Sequence, residues 1–128
     1  MQTNKDLIRD FYKLFKNKDF DYHKFCHDDI KWVTMDGMPE GGTHIGIKCV
    51  FEWYFPRMLA NFEEFHSQPS EFIETDDMVI VFGRYFGQSI AKKCFDVPFC
   101  HVYRIKHNKI SQFNQFTDTE EIQKAIGF

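Results

Sequence analysis

From Phe95 to Ile105 the chain alternates without interruption. Phe95, Val97, Phe99, His101, Tyr103 and Ile105 fall on one side of an extended backbone, and Asp96, Pro98, Cys100, Val102 and Arg104 on the other. A period of two is incompatible with a helix, and the apolar set must face an interior, because a slip of one residue would turn every ring into water. One titratable side chain, His101, stands in the middle of that apolar row.

The flanking segments continue the strand pattern. Glu71 to Glu74 reads as a short strand, Asp76-Asp77 as a turn, and Met78 to Ser89 as a long strand in which Gly83 or Gly87 marks a bulge or strong bend. A His107-Asn108 turn leads to a last strand, Lys109 to Thr117, and Asp118 or Thr119 caps a closing helix carrying Ile122 and Ile126. The first half is more helical. Thr3 or Asn4 caps a helix whose apolar face is Leu7, Ile8, Phe11, Leu14 and Phe15, ending near Asn17-Lys18. A short second helix covers Tyr22 to Cys26, and Ile30 to Thr34 reads as a strand with Ile30, Trp32 and Thr34 on one side. Asp36 to Gly46, with four glycines and a proline, reads as loop. Val50, Phe51, Tyr54, Met58, Leu59, Phe62 and Phe65 then recur at helical steps and predict a long third helix from about Ile47 to Phe65, kinked or broken just before Pro56. The order predicts an α+β fold, with helices on one face of a curved antiparallel sheet. No repeat or linker divides residues 1–128, which read as a single domain.

Composition narrows the function classes. The 16 phenylalanines fit either a wide cavity lined by rings or an aromatic-rich packed core, and composition leaves both open. A net charge of −3, with no basic cluster longer than Lys92-Lys93, argues against nucleic acid as a partner. No apolar run reaches the roughly 18 residues that a membrane span needs. Charges interrupt the N-terminal segment where a signal core would lie, so a cytoplasmic location is expected. Cys26, Cys49, Cys94 and Cys100 form no CxxC and are expected as free thiols. His23, Cys26 and His27 lack the ligand count of a zinc site. No nucleophile elbow, phosphate loop or dinucleotide fingerprint is present, so no metal or cofactor is expected.

Five elements occur in a familiar order: Met38-Pro39-Glu40-Gly41-Gly42-Thr43 ending in Gly46, Gly83-Arg84-Tyr85, Phe99-Cys100-His101-Val102, Asn108-Lys109-Ile110, and Gln115-Phe116-Thr117-Asp118-Thr119. Together they resemble the SnoaL-like, ketosteroid-isomerase-related proteins of the NTF2-like superfamily, and the likeness covers nearly the whole chain. The resemblance implies a cystatin-like cone: a strongly curved sheet packed against three N-terminal helices and enclosing a pocket, often in a homodimer. It also implies a small, apolar, carbonyl- or hydroxyl-bearing molecule as the partner, with isomerase-, cyclase- or dehydratase-type chemistry, simple binding, or a dimeric protein-interaction module as alternatives.

True ketosteroid isomerases carry an aspartic acid where His101 stands, a tyrosine on the first helix and an aspartate base on the first strand. An ungapped alignment puts Phe11 and Thr34 at the latter two positions, and neither residue can perform those roles. The three groups are absent as a set, so the chain is not expected to be such an isomerase. Cyclases of the SnoaL type carry an acidic residue near Gln115, which cannot take a proton.

His101 is the candidate acid/base group, and its alternative role is that of a core histidine satisfied by a neighbour. On the last strand alternation does not choose a face; the resemblance turns Phe113 and Gln115 inward. The expected pocket lining is Trp32, Thr34, Tyr54, Met58, Phe62, Tyr85, Phe99, Tyr103, Phe113 and Gln115, with plain core as the alternative for Met58 and Phe62 above all. Arg84 is expected on the outer face, and Asp118 as a helix cap rather than an acid.

Overall fold

The computed structural model describes residues 2–16 and 21–127. Helix α1 (Asn4–Lys16) begins with a reciprocal cap: Thr3 Oγ1 accepts the Asp6 N–H at 3.1 Å, and Asp6 accepts the Thr3 N–H at 3.2 Å. Its expected end at Asn17-Lys18 lies outside the described residues. The expected second helix through Cys26 is a single 3₁₀ turn, Tyr22–Lys24. Strand β1 (Cys26–Thr34) starts earlier than the IKWVT core and buries Ile30, Trp32 and Thr34 as its alternation requires.

The glycine-rich segment is not all loop. Gly42–Ile45 forms a short edge strand, β2, antiparallel to β1 from Lys31↔Ile45 to Thr34↔Gly42. Its four residues are too few for alternation to announce them among the surrounding turn formers.

Next come π-helical turns, Lys48–Tyr54, followed by α2 (Phe55–Leu59). The Phe55 N–H bonds the Val50 carbonyl five residues back, and ordinary α winding resumes with Pro56 in its first turn. A proline is tolerated there, since its missing N–H is not needed at a helix start. The winding thus changes just ahead of Pro56.

The helix ends at Leu59 rather than Phe65, because Phe62–Glu74 is strand β3. Its pairing with β4 (Met78–Ser89) explains why it imitates a helix. Phe62 faces Ser89 and Phe65 faces Gly87, two apart on β4 but three apart on β3, because Glu63 is an extra residue bulged out of the ladder. Both rings therefore lie on the inner face, 4.9 Å apart, at a spacing that reads as helical. A second slip, between Pro69 and Glu71, leaves Ser70 as the extra residue opposite the Gly83–Phe82 step. A bulge or strong bend is expected at Gly83 or Gly87; the extra residues instead belong to the partner strand, one of them opposite the Gly83–Phe82 step. Pro69 is accommodated because β3 is an edge.

Strands β5 (Cys94–Lys106) and β6 (Lys109–Thr117) complete a six-stranded sheet in the order β2-β1-β6-β5-β4-β3. It is mixed rather than wholly antiparallel, since β1 runs parallel to β6, and it is not closed. The β5–β6 turn places His107 and Asn108 at φ of 52° and 63°, as a tight two-residue hairpin requires. Helix α3 (Thr119–Ile126) is capped by Asp118, whose Oδ1 accepts the Glu121 N–H at 3.2 Å. On the outer face Arg84 pairs with Asp96 at 2.6 Å. All four cysteines are free.

Gly83 joins the fold to its interior. A Cβ there would lie 2.3 Å from the Gln68 carbonyl oxygen and 2.5 Å from the Phe99 ring. The missing side chain is what lets the Phe99 ring settle over β4. Gly83→Ala is expected to cost about 1–3 kcal/mol through overpacking, measured by urea denaturation. A variant as stable as the parent would show that both the Gln68 backbone and the Phe99 ring can move aside freely.

Candidate functional site

Alternation on β5 puts His101 on the inner face, opposite Val81 of β4 and Gln115 of β6, and only 4% exposed. Its imidazole lies flat against Phe99, with ring centroids 3.9 Å apart and planes 12° apart, and meets Phe113 edge-on at 4.8 Å. Both ring nitrogens are occupied. The Tyr12 hydroxyl stands 2.6 Å from Nδ1, and the Tyr85 hydroxyl makes a very short contact with Nε2. Gln115 Nε2 then donates to the Tyr85 oxygen at 2.9 Å, and the Tyr103 ring stands edge-on to Tyr12 with centroids 5.9 Å apart.

Counting donors and acceptors gives this chain a direction. A neutral imidazole has one N–H and one bare nitrogen. The Tyr85 oxygen accepts from Gln115, which leaves its own proton for His101 Nε2. Nδ1 must then carry the ring proton and donate it to the Tyr12 oxygen. The sequence Gln115→Tyr85→His101→Tyr12 satisfies both ring nitrogens and sets the tautomer. Reversing it would require the Gln115 carboxamide to turn over.

Electrostatics keep the chain neutral. Burial pulls the His101 pKa well below the ordinary histidine value, and among the described residues no carboxylate opposes that shift. Burial also drives the Tyr12 and Tyr85 phenols well above their usual range, with the Gln115 bond to Tyr85 acting weakly the other way. The Tyr54 phenol is pushed up to about 12, again chiefly by burial.

Among the described residues two buried side-chain atoms have no hydrogen-bond partner: Thr34 Oγ1 and Gln115 Oε1. The Tyr54 hydroxyl is near enough for Thr34 to favour its ionised form, yet no bond of acceptable geometry joins them. Each orphan costs about 1–3 kcal/mol. Thr34 and Gln115 also line an open groove of about 400 Å³ where β1 and β6 end, together with Met35, Asp36, Asn114 and Thr119.

Every residue expected to line a pocket is buried: Trp32, Thr34, Tyr54, Met58, Phe62, Tyr85, Phe99, Tyr103, Phe113 and Gln115. Tyr85, Phe99, Phe113 and Gln115 gather closely around His101, and the Tyr103 ring meets it edge-on at 6.1 Å. Trp32 stacks on Phe113 at 3.9 Å across the parallel β1–β6 ladder. Phe62 instead packs against Phe65 and Phe95. The residue the sequence reading passed over is Tyr12. The ungapped alignment examined Phe11, which is fully buried in the core, whereas the hydroxyl comes from the next position. The available signal was its place at the border of the α1 apolar stripe, four residues after Ile8.

His23 pairs with Asp28 at 3.3 Å, His27 reaches the Lys106 carbonyl at 2.5 Å, and Cys26 is buried, so the three do not converge. Among the described residues no helix is long and apolar enough to cross a membrane.

The SnoaL-like domain family matches residues 8–113 of the chain. No curated protein sequence matches it. Among solved structures, an NTF2-like protein of unknown function from Burkholderia pseudomallei superposes with a TM-score of 0.89 at 26% identity, covering 100% of both chains. TerC, co-crystallised with polyporic acid, gives 0.87 at 25% identity over 98% of each chain. A cystatin-like protein of unknown function from Xanthomonas campestris gives 0.84 at 17% identity, over 98% of this chain and 97% of that one, and bears on the fold alone.

The depressed basicity of His101 makes a signed prediction. The unfolded chain takes up a proton at His101 below about pH 6.5 while the folded chain does not, so the residue favours folding fully above that pH and loses this contribution as pH falls. The stability difference between the parent and His101→Phe should be flat above pH 6.5. Below it the difference should shrink by about 1.4 kcal/mol per pH unit until folded His101 itself protonates. Parallel stability curves from pH 7 to 5 would contradict the buried neutral state.

Proposed function

The chain belongs to the SnoaL-like domain family, and on that premise we propose that it binds a small, largely apolar molecule bearing a carbonyl or hydroxyl beside His101. The observation that carries this reading is the polar chain itself. An imidazole, the Tyr85 phenol and a carboxamide are buried in an aromatic interior, with the half-buried Tyr12 phenol at its edge, at a desolvation cost that packing alone would not require. The co-crystallisation of TerC with polyporic acid supports a small-molecule partner for this fold.

In the catalytic form of the proposal, His101 acts as the acid/base or polarising group and exchanges protons through Tyr85 or Tyr12, because neither of its nitrogens is free. Gln115 and Thr34 orient the ligand. Screening turnover of small aromatic ketones and alcohols tests it. His101→Ala should lower kcat by roughly 10²-fold or more, whereas Gln115→Ala should chiefly raise KM. The occupied nitrogens also favour a second reading, a non-catalytic binding protein in which the same chain only satisfies the ligand. Saturable binding with no turnover across the panel would select it.

The outer sheet face is the proposed homodimer surface. Phe82, Cys100 and Phe116 lie in one cross-strand row, with Phe82 41% and Phe116 49% exposed, and Ile73, Ile80 and Val102 form the next row. So contiguous an apolar patch marks a contact surface. Sedimentation should give about twice the 15.4 kDa chain mass, and Phe116→Glu should return the protein to a monomer. A parent that sediments as a monomer at micromolar concentration would remove this proposal.

A further inference from the structure

We propose that Thr34 and Gln115 form an anchor for a neutral hydroxyl, so that the ligand is an alcohol or phenol on an apolar body rather than a ketone, ether or carboxylate. This inference rests on the small-ligand reading above and narrows it.

Strands β1 and β6 run parallel, with Val33 opposite Asn114, so Thr34 and Gln115 are the next neighbours along the ladder. Both side chains are more than nine-tenths buried, and both residues line the groove left where the strands part, one into the Met35–Asp36 turn and the other towards α3. Their orphaned atoms have complementary needs. Gln115 Oε1 only accepts, while Thr34 Oγ1 can donate or accept. A hydroxyl gives its proton to Oε1 and takes the Thr34 proton on its oxygen. A carbonyl or ether oxygen satisfies Thr34 and leaves Oε1 bare. An anion is worse, since the charged side chain among the groove residues is Asp36, of the same sign. Val33, Met35 and Phe116 of the same groove offer an apolar body its contacts, and the buried Trp32–Phe113 stack backs the anchor one step along the strands.

The anchor also reaches His101. A ligand hydroxyl on Oε1 holds the carboxamide with Nε2 towards Tyr85, the orientation that sets the ring proton on Nδ1. Thr34 and Gln115 are thereby specificity-determining residues, and Gln115 is in addition a positioning residue for the imidazole.

The test compares β-naphthol, its methyl ether and naphthalene as probes of the intact protein, by calorimetry and by amide shifts in NMR. The expected result is β-naphthol binding at least ~10-fold tighter than the ether, with the largest shifts at Thr34 and Gln115. Gln115→Met should erase that preference while retaining binding. Thr34→Val should reduce the preference yet leave the free protein as stable as the parent or more so, because the hydroxyl it removes has no partner there. A structural role for Thr34 would instead lower the melting temperature. Equal affinity for β-naphthol and its ether, or a preference for the ether, overturns the anchor and leaves the small-ligand reading standing. No saturable binding by any probe counts against both.

Discussion

An imidazole gripped at both nitrogens by phenol hydroxyls, inside an aromatic shell, sets the terms for the rest of this molecule. Placing a histidine where only 4% of it meets solvent is costly unless each nitrogen is satisfied. The two partners come from distant parts of the chain. Tyr12 is on the first helix, 89 residues from His101, and Tyr85 is on the adjoining strand. Satisfying the ring therefore requires α1 to be docked against the sheet and β4 to be paired with β5 in register. The fold and the polar chain specify each other.

The sheet is shaped to allow this. The bulges at Glu63 and Ser70 and the bare Cα of Gly83 all act on β3 and β4, the strands that carry Phe65, Tyr85 and the floor beneath Phe99. Phe99 rests in the space at Gly83, and His101 rests on Phe99. A residue with no side chain thus fixes the plane of the imidazole two contacts away. Such dependence on backbone approach is why glycine, rather than alanine, stands in an otherwise strand-forming run.

Most of this was legible wherever alternation was unbroken. Phe95 to Ile105 announced the inner face of β5 and placed His101 on it, and Met78 to Ser89 and Lys109 to Thr117 gave their strands without error. Legibility failed where one extra residue disturbed the count. The Glu63 bulge spaced Phe62 and Phe65 like a helix and hid the first half of β3, and four short edge residues hid β2. The parallel β1–β6 pairing was also unreadable, because nothing local distinguishes a strand's partner. At the site, Gln115 was turned inward by the family resemblance, since alternation on β6 chose no face, and Tyr85 was expected inside, but Tyr12 was not. A tyrosine at the border of a helix stripe looks the same whether its hydroxyl meets water or a buried imidazole; only the crossing of α1 over the sheet decides.

The most direct measurement is the protonation state of His101 in the folded protein, read from the two ring-nitrogen resonances in an NMR titration. The account predicts one protonated and one unprotonated nitrogen at neutral pH, with the proton on Nδ1, and no titration until the pH is well below 6.5. A His101 ring that titrates near or above 6.5, or that carries protons on both nitrogens at neutral pH, would contradict it.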